Sequence, residues 1–161
     1  GMIDMMGGSE AFARKLDQNF DGGHYRHDNE PGHHYIYLYD YCGQPRKTQQ
    51  LVRHHTRVNY HNAPDGINGN DDCGQMSAWY LFSVMGFYPV TPGSNIFALG
   101  APQFMRLTLQ LSDHTLTIVA DGISEQHKFV KQVLVDGRPL TQPFIDWDTL
   151  IHARELRFVM E

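Results

Sequence analysis

The hydrophobic period of this chain changes near Gly86, from a spacing of three to four residues before it to a spacing of two after it. A stretch patterned for one period cannot bury its apolar face in the conformation of the other, so the change divides the chain into helices followed by strands. In the first part Ser9 can cap a helix in which Phe12, Leu16 and Phe20 recur every four residues. A loop over 21–32 follows, with three glycines and one proline, and residues 33–41 are then apolar or aromatic on nearly every side. Continuous apolarity predicts burial. Gly43 suits a left-handed helix end, and Pro45 suits the first turn of a helix running to about Tyr60. A loop over 61–72 leads to a further helix over about 74–85.

Beyond Gly86 the runs 95–99, 104–111, 114–120, 128–135 and 156–160 read as strands, with turns at Ser112-Asp113 and Asp136-Gly137. Leu107, Leu109 and Leu111 alternate with Thr108 and Gln110, which predicts one packed and one wet face. The fold class is α+β: a helical region over 1–90, then a small antiparallel β-sandwich-like region over 91–161, the latter complete or an edge contribution to a larger one.

A chain of 161 residues can bury enough apolar surface to fold as one domain. A net charge of −5 without a basic stripe excludes a nucleic-acid groove. No stretch approaches the roughly 20 apolar residues of a membrane span. Residues 1–6 lack a basic flank and a long apolar run, so no secretion signal is expected there, and Gly1 before Met2 reads as a cleavage scar. The two cysteines, Cys42 and Cys73, are expected to be buried thiols, with a single bridge as the alternative.

Two polar strings stand out, NEPGHH over 29–34 and GNDDCGQMSAW over 69–79. Each sets acids and amides beside glycine ahead of apolar helical sequence. Three carboxylates, two carboxamides and several histidines at the entrances of buried helices are costly to desolvate unless they pair or hold a cation, so something is expected to bind there. For Asp71 and Asp72 the plain alternative is N-capping, with Asp72 accepting from the first-turn amides and Asp71 favouring the dipole. For the first string it is a turn and cap, with His33 and His34 satisfied at a buried helix start. Pro31 biases Glu30 toward an extended backbone, so its side chain projects from a fixed frame. Acid, amide and carbonyl oxygens suit calcium, with Asn29 and Glu30 as the natural donors. Zinc spacings are absent. The loop is no EF-hand, because Asp65 as first ligand puts Ile67 third and Met76 twelfth. No GxSxG elbow occurs and Cys73 lacks an evident partner, which disfavours acyl transfer. Trp79, inside an apolar run, reads as core rather than a sugar platform.

These two strings, together with YLYDYCGQPRKTQ over 37–49, MGFYPVTPGS over 85–94, GAPQF over 100–104 and VDG over 135–137, resemble glycoside hydrolase family 92, the calcium-dependent inverting α-mannosidases. The resemblance covers nearly the whole chain. It implies hydrolysis of α-linked mannose on an (α/α)₆ barrel beside a β-sandwich, by an acid and a base standing about 6.5–9.5 Å apart. By the same resemblance Asp72 is the base, with Asp71 or Asn70 assisting. Asn29 and Glu30 serve the calcium and nearby sugar hydroxyls, while Gln75 and His34 contact substrate. Arg46 and Asn68 depart from the family's usual aromatic residue and proline. The family's general acid lies upstream of the first string, and no residue over 1–28 matches its segment. The resemblance therefore implies a C-terminal portion of such an enzyme, periplasmic or secreted in a bacterium, with weak or no activity alone, that self-associates or pairs with the missing N-terminal half. A calcium- or carbohydrate-binding module without hydrolysis, or a folded remnant, is the alternative.

Overall fold

The computed structural model describes residues 1–161. A short helix α1 (Met2–Met5) precedes α2 (Ser9–Asp21), whose Phe12, Ala13 and Leu16 are buried. The expected stripe is there, with Gly8 rather than Ser9 at the cap. Tight 3₁₀ turns at Glu30–Gly32 and Tyr35–Tyr37 lead into α3 (Leu38–Tyr41), a single turn. Then come α4 (Pro45–Val58) and α5 (Gln75–Met85). Gly43 is left-handed at φ 77°, as its position between α3 and α4 predicts.

The strands are β1 (Phe87–Tyr88), β2 (Ile96–Leu99), β3 (Arg106–Gln110), β4 (Thr115–Asp121), β5 (Val130–Val135), β6 (Arg138–Pro139) and β7 (Phe144–Asp146), then helix α6 (Trp147–His152) and β8 (Glu155–Met160). They form a three-stranded sheet ordered β1-β2-β7 and a five-stranded sheet ordered β3-β4-β8-β5-β6. One apolar cluster holds Phe87, Phe97 and Ile145 of the small sheet together with Ile118, Val133, Leu156 and Phe158 of the large one. The two sheets therefore share a core, as in a sandwich. The expected strands all occur, and the turn at Asp136-Gly137 takes φ values of 47° and 79°, the pair a two-residue primed turn requires.

Two expectations need correction. The large sheet is not wholly antiparallel, because β4 and β8 run parallel from Thr117 opposite Glu155 to Asp121 opposite Val159. The 33 residues between these two strands, 122–154, give the long crossover that parallel pairing needs. Cys73 is an exposed free thiol, whereas Cys42 is buried as expected. Cys73 sits in a left-handed turn that projects it from the surface instead of into a helix face.

Helix α4 joins the helices to the strands through its polar face. Gln49 Oε1 accepts from the backbone N–H of Val130 at 3.0 Å. Arg46 lies 4.1 Å over the Phe129 ring and donates to Glu161 at 2.5 Å. Arg53, almost entirely buried, and Arg57 both donate to Glu125, at 3.0 and 2.6 Å. On the other side Ile36, Tyr37, Val52, Trp79, Tyr88 and Ala98 form a second cluster that ties α4 and α5 to the small sheet. Gly86, at φ 96°, turns the chain from α5 into β1 where an added Cβ would lie 2.8 Å from Phe158. No other residue fits that turn.

Asp40 on α3 is buried with neither carboxylate oxygen hydrogen-bonded, since the Thr48 hydroxyl donates to the Ile36 carbonyl at 3.2 Å. Burial pushes the Asp40 carboxyl up to about 8, against a partly opposing influence of Thr48. In the unfolded chain this group titrates near 3.9, so the folded state binds the extra proton between the two values. Its contribution is complete below about pH 4 and is lost as pH rises through about 8. Asp40→Asn is expected to gain melting temperature over the parent between pH 6 and 9 and to lose the advantage near pH 4, in a thermal-melt series. Glu125 behaves oppositely. The Arg57 hydrogen bonds, with the Arg57 and Arg53 charges, hold it down at about 2, so its stabilisation is present above the unfolded carboxyl value and disappears as pH falls through about 2. Glu125→Gln is expected to melt earlier than the parent at pH 7 and to converge with it toward pH 2.

Candidate functional site

The two polar strings meet. Gly69, at φ 93°, passes so close to the first loop that an added Cβ would lie 2.8 Å from the Asp28 carbonyl oxygen. Beyond it, Asp72, Cys73 and Gly74 are left-handed in succession, at φ 47°, 58° and 93°. A non-glycine residue pays roughly 1–2 kcal/mol for that conformation. This turn separates the roles of the paired acids. Asp71 Oδ1 accepts from the Ser77 N–H and hydroxyl, both at 2.9 Å, and so fastens the start of α5. Asp72 is turned away from α5 toward Glu30, whose carboxyl beside it pushes Asp72 above the usual carboxylate range. The capping expectation holds only in part: a first-turn amide is satisfied, but by Asp71 rather than Asp72, and the cap residue itself is Gly74, whose position carries no side-chain cap.

Asn29, Glu30, Asn70, Asp71 and Asp72 are all exposed. Water reaches them where the loops meet at the surface, so desolvation within this chain does not by itself compel a bound partner. No three histidine, cysteine or acidic side chains converge as a metal cluster. Glu30, His34 and Gln75 line one cleft of about 720 Å³, with Leu38, Phe82 and Tyr88 among its other walls. Asp72 reaches this group through Glu30, whereas Asn29, Asn70 and Asp71 stand outside the cleft wall.

Beneath the cleft lies a buried layer of histidine and aromatic rings. His33 donates from Nε2 toward the His27 carbonyl at 3.0 Å and the Met76 sulfur at 3.1 Å, and Trp79 Nε1 donates to the His33 carbonyl at 3.1 Å. Trp79 is fully buried, as core. His27 lies between the Tyr25 and Tyr60 hydroxyls, at 2.8 and 2.9 Å, and Tyr60 donates to the Met76 carbonyl at 3.1 Å. Because Tyr60 spends its proton there, His27 must donate to it from Nε2 and accept from Tyr25 at Nδ1. Burial holds His27 down at about 3 and His55 at about 4, the neighbouring imidazoles adding to the effect. Burial also lowers His33 and His34. The layer is therefore neutral at physiological pH, and it grips the first loop from below.

Sequence reading missed Tyr88, which follows Gly86 on β1, stacks on Tyr37 at 4.9 Å and accepts a hydrogen bond from Gln75 at 3.2 Å. Its only signal was an aromatic residue soon after a helix-ending glycine. His33 is buried and hydrogen-bonded, as its reading at a helix start expects, and through Met76 and Gln75 it also ties the first string to the start of α5.

The whole chain, residues 1–161, matches the model of the glycosyl hydrolase family 92 catalytic domain. A family GH92 α-mannosidase of Bacteroides thetaiotaomicron superposes with a TM-score of 0.89 at 40% identity, over 96% of this chain and 22% of that one. A family GH92 inverting mannosidase of Bacteroides thetaiotaomicron VPI-5482 gives 0.87 at 34% identity, over 98% and 25%. An uncharacterized secreted glycosidase of Arthroderma benhamiae is 23% identical over 163 residues, 99% of this chain and 21% of that protein. The chain thus spans about a fifth to a quarter of the length of these relatives. With the family model matching all of its residues and its fold superposing on these mannosidases, this chain belongs to glycosyl hydrolase family 92.

Proposed function

We propose that the chain carries the base and cation side of an inverting α-mannosidase site and works within a longer enzyme that supplies the general acid. The observation that carries this reading is the approach of Asp72 to Glu30 beside a cleft lined by polar and aromatic groups. Residues 1–90 then form part of an (α/α)₆ barrel and residues 91–161 the adjoining β region. The exposed apolar side chains of Val58 on α4 and Leu81 on α5 support contact with further helices or with a second copy. The relative of Arthroderma benhamiae is described as secreted, which supports work outside the cytoplasm.

Asp72 takes the proton of a water molecule as that water attacks the anomeric carbon, while an acid from elsewhere in the enzyme protonates the leaving oxygen. Asp71 holds the start of α5 through Oδ1, which leaves Oδ2 to steady the same water. His34, Gln75, Asn70 and Glu30 meet sugar hydroxyls. Two carboxyls side by side, Asp72 raised by Glu30, make an all-oxygen donor set whose like-charge strain a divalent cation relieves. This fits calcium held by Glu30 and Asn29, with the rest of its shell from water or other parts of the enzyme. Calcium supplies positive charge that orients sugar hydroxyls and favours a distorted ring.

The test is titration of the 161-residue protein with calcium and methyl α-mannoside, alongside mannose release from an α-1,2-linked disaccharide. Calcium-dependent mannoside binding is expected, weakened by Glu30→Gln. Turnover is expected to lie about 10²- to 10⁴-fold below that of a form containing the acid, and to vanish with Asp72→Asn. Binding without turnover even when the acid-bearing half is added would favour a carbohydrate-binding module. Mannoside binding indifferent to chelator would overturn the cation assignment.

A further inference from the structure

We infer that His33 fixes the polarity of the cleft, so that Gln75 offers a ligand its carbonyl oxygen and Tyr88 offers its hydroxyl proton. The inference rests on the reading of this cleft as a sugar site and adds to it the chemistry by which a hydroxyl is recognised.

The argument begins with tautomers. His33 Nε2 faces the His27 carbonyl at 3.0 Å, and a carbonyl can only accept, so the imidazole proton sits on Nε2. Nδ1 is then a lone pair, and the group opposite it is the Gln75 amide nitrogen, at 3.4 Å. The same nitrogen donates to the Tyr88 hydroxyl at 3.2 Å. Both amide protons of Gln75 are thereby spent inward. Were the carboxamide flipped, its oxygen would face the Nδ1 lone pair, an arrangement with no proton between the two atoms. Gln75 consequently has one polar function left for the cleft, the acceptor Oε1. Tyr88, accepting from Gln75, keeps its own proton to give. Burial raises the Tyr88 phenol, so that proton is present at any physiological pH.

An acceptor and a donor set side by side match a hydroxyl, which both gives and takes a hydrogen bond. They discriminate against an ether or deoxy position, which would leave a polar group of the cleft unpaired. His33 never meets the ligand in this scheme. It is a positioning residue, held by its own carbonyl on Trp79 Nε1 at 3.1 Å and almost fully buried.

The test uses side-chain nitrogen and proton resonances of the 161-residue protein, with titration by methyl α-mannoside. The parent should show His33 protonated at Nε2; protonation at Nδ1 would overturn the inference without any variant. His33→Asn can keep an acceptor near the Nδ1 position, and His33→Gln can keep a donor near Nε2 while vacating Nδ1. The Gln75 amide resonances should therefore shift in His33→Gln and stay near their parental values in His33→Asn. Mannoside affinity should fall about tenfold in His33→Gln and in Tyr88→Phe, the worth of one buried hydrogen bond. Gln75 resonances unmoved by His33→Gln would overturn the inference. A shift of the Gln75 resonances in His33→Gln, when the parent protein binds no mannoside, would uphold the role of His33 and remove the sugar-site reading instead.

Discussion

An imidazole can be buried only when both of its nitrogens are partnered, and the way His33 meets that demand organises the site. Its ring bonds to the His27 carbonyl, Met76 and Gln75, and its carbonyl takes the Trp79 indole proton. One residue of the first loop is thus fastened to the loop before it and to the first two turns of α5. Glu30 stands three positions earlier on a proline-restrained turn, and Asp72 stands three positions before Gln75. The approach of these two carboxyls follows from that fastening. The fastening opposes the mutual repulsion of two exposed carboxyls.

A second constraint holds the helices to the strands. The polar face of α4 reaches the strand region with Gln49, Arg53 and Arg57, and Arg46 adds a stacked ring and an ion pair. Here the guanidinium covers Phe129 as a ring would, and it also pairs with Glu161. Both contacts lie away from the cleft.

The parts of the fold that were legible in sequence are those whose apolar period runs for a full turn or more. The stripe of Phe12 and Leu16, the cap signals at Gly43 and Pro45 and the alternation around Leu107 all became the elements they implied. The two-residue β1, the three-residue β7 and the six-residue α6 are too short to display a period, so they went unread. Parallel pairing of β4 with β8 was hidden for another reason, because local sequence does not record which distant strand a segment will join. At the site, the meeting of the two motif loops was foreseeable from their residue types. That Asp71 serves the first turn of α5 while Asp72 faces Glu30 was not, since it depends on a run of left-handed residues that only Gly74 announces.

Strand β8 lies at the centre of the larger sheet, between β4 and β5, though it is the final strand in the order of these residues. The hairpin of β3 with β4 and the hairpin of β5 with β6 can each close locally. Neither touches the other until Leu156 and Phe158 arrive and fill the space between them. During synthesis both half-sheets must therefore wait with an open edge facing water, and the sandwich behind the cleft is assembled in a single late step.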